Sequence, residues 1–392
     1  MRALVVTFAV TQTVGYGVLF YTFGVFNVPI AHDLNASTTT VSGALTLSVL
    51  ASAAAAYPVG RWLDRHGGRR LMAAGSIVAT AAVLAWSQIQ TVWQLYAVMV
   101  VIGLTSAAVL YEAAFAVVVK TANPPKRATA ILTISIVAGF ASTIFMPLAG
   151  LLGERLGWRG ALVVLATIHG VLTILPHLLW VPTKPAPSER PLEPTLPLDA
   201  ALRDRVFWLL VIGFTASAAA VAAVAVHLVG YLLELGHSAP AAAAITGLLG
   251  AMSVTGRLLT TRLSARFPTV AIATVIYLIQ GVVVLLLPHI GRSVAGATAC
   301  VLVFGLGFGL ASIARPSILA DRYGARAFGT ISGALTVPVT LARAAAPLAV
   351  AALTITSLPL FTSINALVAA ACLAAASAAA AAGQSGVIDP PA

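Results

Sequence analysis

The sequence predicts an all-α membrane protein with twelve transmembrane helices in two pseudo-symmetric six-helix bundles. Composition is the first reason: 60% of the 392 residues are hydrophobic and 8% are charged, against roughly 25% charged in a soluble domain. The second is spacing, because the chain divides into twelve apolar stretches, each near the roughly 20 residues that a helix needs to cross a bilayer. The third is a single interruption over residues 182–204, rich in proline and charge, with six stretches before it and six after.

The spans expected before the interruption are 3–30, 38–60, 70–90, 92–119, 128–153 and 158–181. Those after it are 205–234, 239–264, 268–289, 293–319, 328–354 and 358–382. The expected organisation is therefore an N-terminal bundle (1–181), a linker (182–204) and a C-terminal bundle with a short tail (205–392). The first span exceeds a signal-peptide core and no small-residue cleavage site follows it, so it is expected to stay as a membrane helix. Cys300 and Cys372 both fall within spans and read as small apolar packing residues, which argues against a disulfide framework or a metal site.

Charge sets the orientation. With Met1 in the cytoplasm, 17 of the 22 Lys and Arg residues fall in cytoplasmic termini and joints or within about one turn of them. Arg155, Arg159 and Arg292 fall outside, and Arg257 and Arg343 within spans. The opposite orientation reverses that bias, so both termini are expected in the cytoplasm of a multi-pass inner (plasma) membrane protein. The net charge of +11 belongs to this asymmetry, since no basic and aromatic surface on a polar fold accompanies it. A nucleic-acid partner is not expected.

The joint after span 2 carries Gly60, Asp64, Arg65, Arg69 and Arg70 in the spacing Gly-x-x-x-Asp-Arg-x-Gly-x-Arg-Arg. Gly60 allows two helix ends to approach, Asp64 can accept from a neighbouring helix N-terminus or an arginine, and the arginines hold the loop on the cytoplasmic side. This joint closely resembles the loop between helices 2 and 3 of major facilitator superfamily transporters. A weak echo, Thr261-Arg-Leu-Ser-Ala-Arg266, follows span 8, with Ala265 roughly where the first copy has its aspartate. Gly15 to Phe26, Gly157-Trp-Arg-Gly160 and Arg322 to Gly329 resemble the bacterial monocarboxylate-transporter-like branch, which includes relatives of oxalate–formate exchangers. The resemblance implies the superfamily fold, with helices 1, 4, 7 and 10 lining a central cavity, and a gating role for Gly60, Asp64, Arg65, Arg69 and Arg70.

Ten of the eleven acidic residues fall in joints, tails or span ends, and Glu112 alone lies within a span. A buried acid is costly and normally faces a cavity or a partner. Two roles stay open for it, proton coupling or pairing at the cytoplasmic gate. Arg343 lies mid-span between Pro338 and Pro347, too deep for easy snorkelling, and its planar donors suit both oxygens of a carboxylate, whether of a substrate or of a structural ion pair. Oxalate-exchanging relatives carry a basic residue at this helix for that purpose. Arg257 resembles the span 8 arginine that binds carboxylate in monocarboxylate transporters, although Ser253 stands where those relatives often have an acid. Lying only about two turns from the span end, it could also snorkel. Tyr16, Tyr21, Tyr111 and His227 lie on cavity helices and could each orient a substrate or simply pack.

No metal-ligand cluster, nucleotide loop or catalytic triad can be assembled, so neither an enzyme nor a cofactor is expected. Two arginines against one glutamate favour a secondary transporter of a small organic anion, a carboxylate, working with protons or a counter-anion and expected to be monomeric. The alternative is a proton-coupled exporter of drugs or amphipathic natural products. Pro147 and Gly150 resemble part of the drug–proton antiporter motif, but Met146 stands where that motif has glycine.

Overall fold

The computed structural model describes residues 1–183, 198–264 and 266–355, and among them there is helix and no strand. The greater part of the expected linker, Ala265, the twelfth expected span with Cys372, and the tail lie outside the described residues. Eleven of the expected spans lie within them. The first is composite: α1 (Arg2–Tyr16) runs through a π-helical turn (Gly17–Tyr21) into α2 (Thr22–Asp33). Then come α3 (Thr38–His66), α4 (Arg69–Trp86), α5 (Val92–Val109), α6 (Tyr111–Thr121), α7 (Pro124–Gly139) and α8 (Ala141–Trp180). After the short α9 (Leu198–Arg203) follow α10 (Arg205–Glu234), α11 (Ala239–Ser264), α12 (Thr269–Ile290), α13 (Val294–Tyr323) and α14 (Phe328–Ile355).

Helix ends follow local chemistry. Ser37 caps α3 by accepting from the Thr40 amide at 3.0 Å, and Thr91 with Gln94 forms a reciprocal capping box on α5. Asn123 precedes Pro124 at the start of α7, where a missing N–H costs nothing. Gly67 ends α3 at φ 78°, a conformation that other residues rarely adopt.

At Gly157 (φ 68°, ψ 165°) the helical run of α8 leaves helical geometry, and neighbouring contacts show that the chain turns back there. An added Cβ on Gly17 would overlap Phe145, and Gly153 lies against Phe26, so the first segment ascends beside α1 and α2. Arg159 reaches Asp33 and the Ile89 carbonyl, His169 lies at Thr80, and His177 lies at Ser76 and Phe8. The second segment therefore descends along α4 to the beginning of α1. Spans 5 and 6 are joined by little more than one glycine. Around it Arg159 bonds the Asp33 carboxylate, donates to the Ile89 carbonyl at 2.8 Å, and lies 4.1 Å over the ring of Trp158.

The chain forms two compact units. The first holds Met1–Thr195 with Gly324–Val337, and the second Leu196–Tyr323 with Pro338–Ala392. The core of the first gathers Phe23, Phe26, Trp86, Met99 and Leu165, with Phe23 stacked on Trp86 at 5.7 Å. That of the second gathers Leu228, Tyr231, Leu249, Cys300 and Phe304. In the second unit Asp204 caps α10 through the Val206 amide and takes Arg322 Nε at 2.9 Å and the Tyr323 hydroxyl at 2.8 Å. Burial pushes the Asp204 carboxyl up, but the bonds from Arg322, the Val206 N–H and Tyr323 outweigh it and hold the group below its ordinary range.

Candidate functional site

In the first unit one expected gating residue, Asp64, is the centre of a cluster that the expected arginines do not join. Asp64, in the last turn of α3, pairs with Lys120 Nζ of α6 at 2.8 Å, both side chains being less than a tenth exposed. It also accepts from the amides of Gly329 (3.0 Å) and Thr330 (2.6 Å) and from the Thr330 hydroxyl. Those amides belong to the first turn of α14, so Asp64 serves as an external N-cap, where a negative charge is favoured. The approach is close: a Cβ on Gly60 would overlap the Gly329 carbonyl, and one on Gly333 the Ala56 carbonyl. Glycine at 60 is what lets the α3 backbone meet this turn. Arg69 Nε donates to the Val181 carbonyl at 2.6 Å, fixing the start of α4 to the end of α8, while Arg65 and Arg70 are exposed.

Above this lie the candidates of spans 1 and 4. Glu112 sits half-buried in the first turn of α6 and accepts from Ser332 Oγ at 3.1 Å. Tyr111 precedes it, with its ring 4.6 Å from that of Tyr16 and 4.9 Å from that of Phe115. Tyr21 closes the π-helical turn with its ring edge-on to Phe20. Tyr16 and Tyr111 are thus brought together.

In the second unit, Arg257 on α11 lies against Gly309 of α13, where an added Cβ would come 2.7 Å from Arg257 Cγ. Arg343 is exposed on α14. His227 of α10 donates through Nε2 to the Pro347 carbonyl at 3.0 Å, one turn beyond Arg343. The carbonyl acceptor assigns the proton to that nitrogen. No cluster of three His, Cys, Asp or Glu that could hold a metal occurs among the described residues.

Residues 9–347 match the family model of the Major Facilitator Superfamily. The chain belongs to this superfamily. Its twelve-helix fold is the family's, and the protein is accordingly a multi-pass membrane transporter. Among solved structures it is similar to the human organic anion transporter MFSD10 (TETRAN), with 18% identity over 95% of this chain and 99% of that one, at a TM-score of 0.69. It is also similar to the E. coli fucose:proton symporter FucP, at 15% identity over 98% of both chains and a TM-score of 0.71. A FucP structure in the outward conformation gives 14% identity, 98% and 100% coverage, and a TM-score of 0.74. No curated protein sequence matches.

Several residues that organise this superfamily chain were missed from the sequence. Lys120 reads there as an ordinary basic span end, yet it is the buried partner of Asp64. Thr330 and Ser332, which contact Asp64 and Glu112, are hydroxyls unremarkable in a span. Gln12 is completely buried and donates to the Val109 carbonyl of α5 at 2.8 Å. A glutamine in the middle of a first span was the available signal. His169 bonds Thr80 Oγ1 of α4 at 2.9 Å.

Proposed function

We propose that this transporter moves a small organic anion, a carboxylate, by alternating access, as a proton symporter or an anion exchanger of the monocarboxylate-transporter-like branch. The observation that carries the reading is the balance of charge in the sequence away from the span ends, two arginines, Arg257 and Arg343, to one acid, Glu112. A carboxylate leaving water needs compensating charge and directional donors, and guanidinium supplies both. Arg343 and Arg257 hold the substrate's anionic group, with Tyr16, Tyr21, Tyr111 and His227 orienting the remainder. Glu112 carries the coupling proton. The structural neighbours decide nothing here, since one is named for organic anions and the others for fucose.

Gly60, Asp64, Arg65, Arg69 and Arg70 form the gate. The Asp64 contact with the first turn of α14 belongs to one access state and is released in the other. Bundles 1–181 and 205–392, joined by 182–204, are the two halves, with both termini in the cytoplasm of the inner membrane and the protein working as a monomer.

A thermal-shift screen of the purified protein against mono- and dicarboxylates beside cationic drugs tests the reading, because a ligand stabilises the state that it binds. Stabilisation by carboxylates is the expected result. Stabilisation by cationic drugs alone would overturn it in favour of the drug-exporter alternative.

A further inference from the structure

Span 4 is broken in its middle. α5 ends at Val109, α6 begins at Tyr111, and Leu110 between them is extended at φ −89°, ψ −164°. Sharp interruptions of helices have few causes: proline, glycine or serine pairs, a π-bulge, or a side chain inserted into the hydrogen-bond ladder. From Leu104 to Asn123 the sequence holds neither glycine nor proline. Thr105 and Ser106 bond back to carbonyls of their own helix, which bends a helix without parting it.

What lies at the break is Gln12. Its Nε2 donates to the Val109 carbonyl at 2.8 Å. In an unbroken helix that carbonyl accepts from the amide four residues on, that of Ala113. Here the first main-chain bond across the gap runs from Ala114 N–H to Leu110 O. The glutamine amide has taken the place of a backbone amide. Its other end, Oε1, is buried with no hydrogen-bond partner. Such a group costs about 1–3 kcal/mol, whereas an apolar side chain would carry no such cost and would leave the helix free to close on itself.

The same helix grips the other side of the gap. Tyr16 lies one turn beyond Gln12, on the same face of α1, and its ring meets that of Tyr111 at 4.6 Å. Val109 and Tyr111 are thus each held from α1. Immediately afterwards α1 itself loosens into the π-helical turn Gly17–Tyr21, where Thr22 Oγ1 donates to the Gly17 carbonyl at 2.9 Å. The break also puts Glu112 in the first turn of a new helix, at the end of the helix dipole where a carboxylate is well placed. In a continuous helix it would be an acid in mid-span with no such support.

We infer that Gln12 is a positioning residue: its amide holds span 4 open at Leu110 and so fixes the direction in which Tyr111 and Glu112 leave the helix. The importance of that direction rests on the role proposed above for Glu112, whereas the backbone assignment stands without it.

Hydrogen exchange read by mass spectrometry on peptides covering residues 105–116, with the protein in lipid nanodiscs, tests this directly. Gln12→Leu removes the donor, and Gln12→Asn keeps an amide one methylene too short to reach. In both, Ala113 N–H takes the Val109 carbonyl, and that amide should exchange roughly tenfold more slowly, about what one hydrogen bond gives. Gln12→Glu, protonated in so buried a place, still offers a donor and should exchange like the wild type. Wild-type exchange in the Leu and Asn variants would overturn the assignment, and if the Leu variant does not purify as a single species the Asn variant decides alone. Because no substrate is needed, failure of the ligand screen leaves this result untouched.

Discussion

Replacing Asp64 with asparagine keeps the shape of the side chain and removes its charge, and the structure sets the size of the effect. One oxygen takes Lys120 Nζ at 2.8 Å and the Gly329 amide, and the other takes Thr330 through its amide and hydroxyl. An asparagine can present its oxygen to one of these groups only, so its NH2 must face donors on the other side. At 2.8 Å, an effective dielectric of about 20 gives an ion-pair attraction of roughly 6 kcal/mol, from which desolvation and side-chain ordering subtract. Measured couplings between close, buried charge pairs and the cost of stranding one partner both indicate about 3 kcal/mol for Asp64→Asn. Unfolding by SDS titration in lipid bicelles, with Asp64→Asn, Lys120→Met and the double variant, closes a double-mutant cycle. The double variant should lose less than the sum of the singles, by about 2 kcal/mol, because no charge is left stranded. A coupling of less than about 0.5 kcal/mol, the usual scatter for independent sites, would refute the reasoning.

Three further outcomes are expected. The folded-state pKa of Asp204 is depressed, so the stability it contributes is fully present above the ordinary carboxylate value of about 3.9 and disappears as pH falls through the lower folded value. The stability gap between wild type and Asp204→Asn should be constant at neutral pH and narrow only in acid; a gap unchanged below about pH 3 contradicts the ion-pair account. Glu112→Gln should abolish accumulation driven by a pH gradient while sparing exchange, and intact gradient-driven uptake would return Glu112 to a gate or structural role. Arg343→Lys should weaken binding of a stabilising carboxylate by roughly tenfold and Arg343→Gln by nearer a hundredfold, read by calorimetry, since a charge-assisted fork contributes about 1.5–3 kcal/mol. Wild-type affinity in Arg343→Gln would remove the anion reading.

The spans were legible because lipid imposes a length and an apolarity that a single sequence displays directly. Those expected at 205–234 and 239–264 coincide with α10 and α11 to the residue, since Asp204 and Gly236 stand at their ends. The gap at Leu110 was not legible. Nothing within residues 104–123 breaks a helix, and the cause lies nearly a hundred residues earlier, at Gln12. Lys120 was hidden for the same reason, its partner being 56 positions away and defined only once α3 and α6 pack. Arg159 read as one of three outward charges, whereas its geometry, on Asp33 and Ile89, is that of a knot between three loops.

That knot has a mechanical consequence. Spans 5 and 6 meet at Gly157 with no connecting slack, and Arg159 ties the same corner to the ends of α2 and α4. Neither span can slide along the other at this corner, so from Ala141 onward the pair moves as one hairpin. Compliance in this unit must then reside where the backbone itself departs from a regular helix in mid-span, at residues 17–21, at 110 and, within span 5, at Phe140. A spectroscopic label on either arm of the hairpin should report the displacement of the whole, and an inserted tag at residue 157 would act as a joint in a strut built without one.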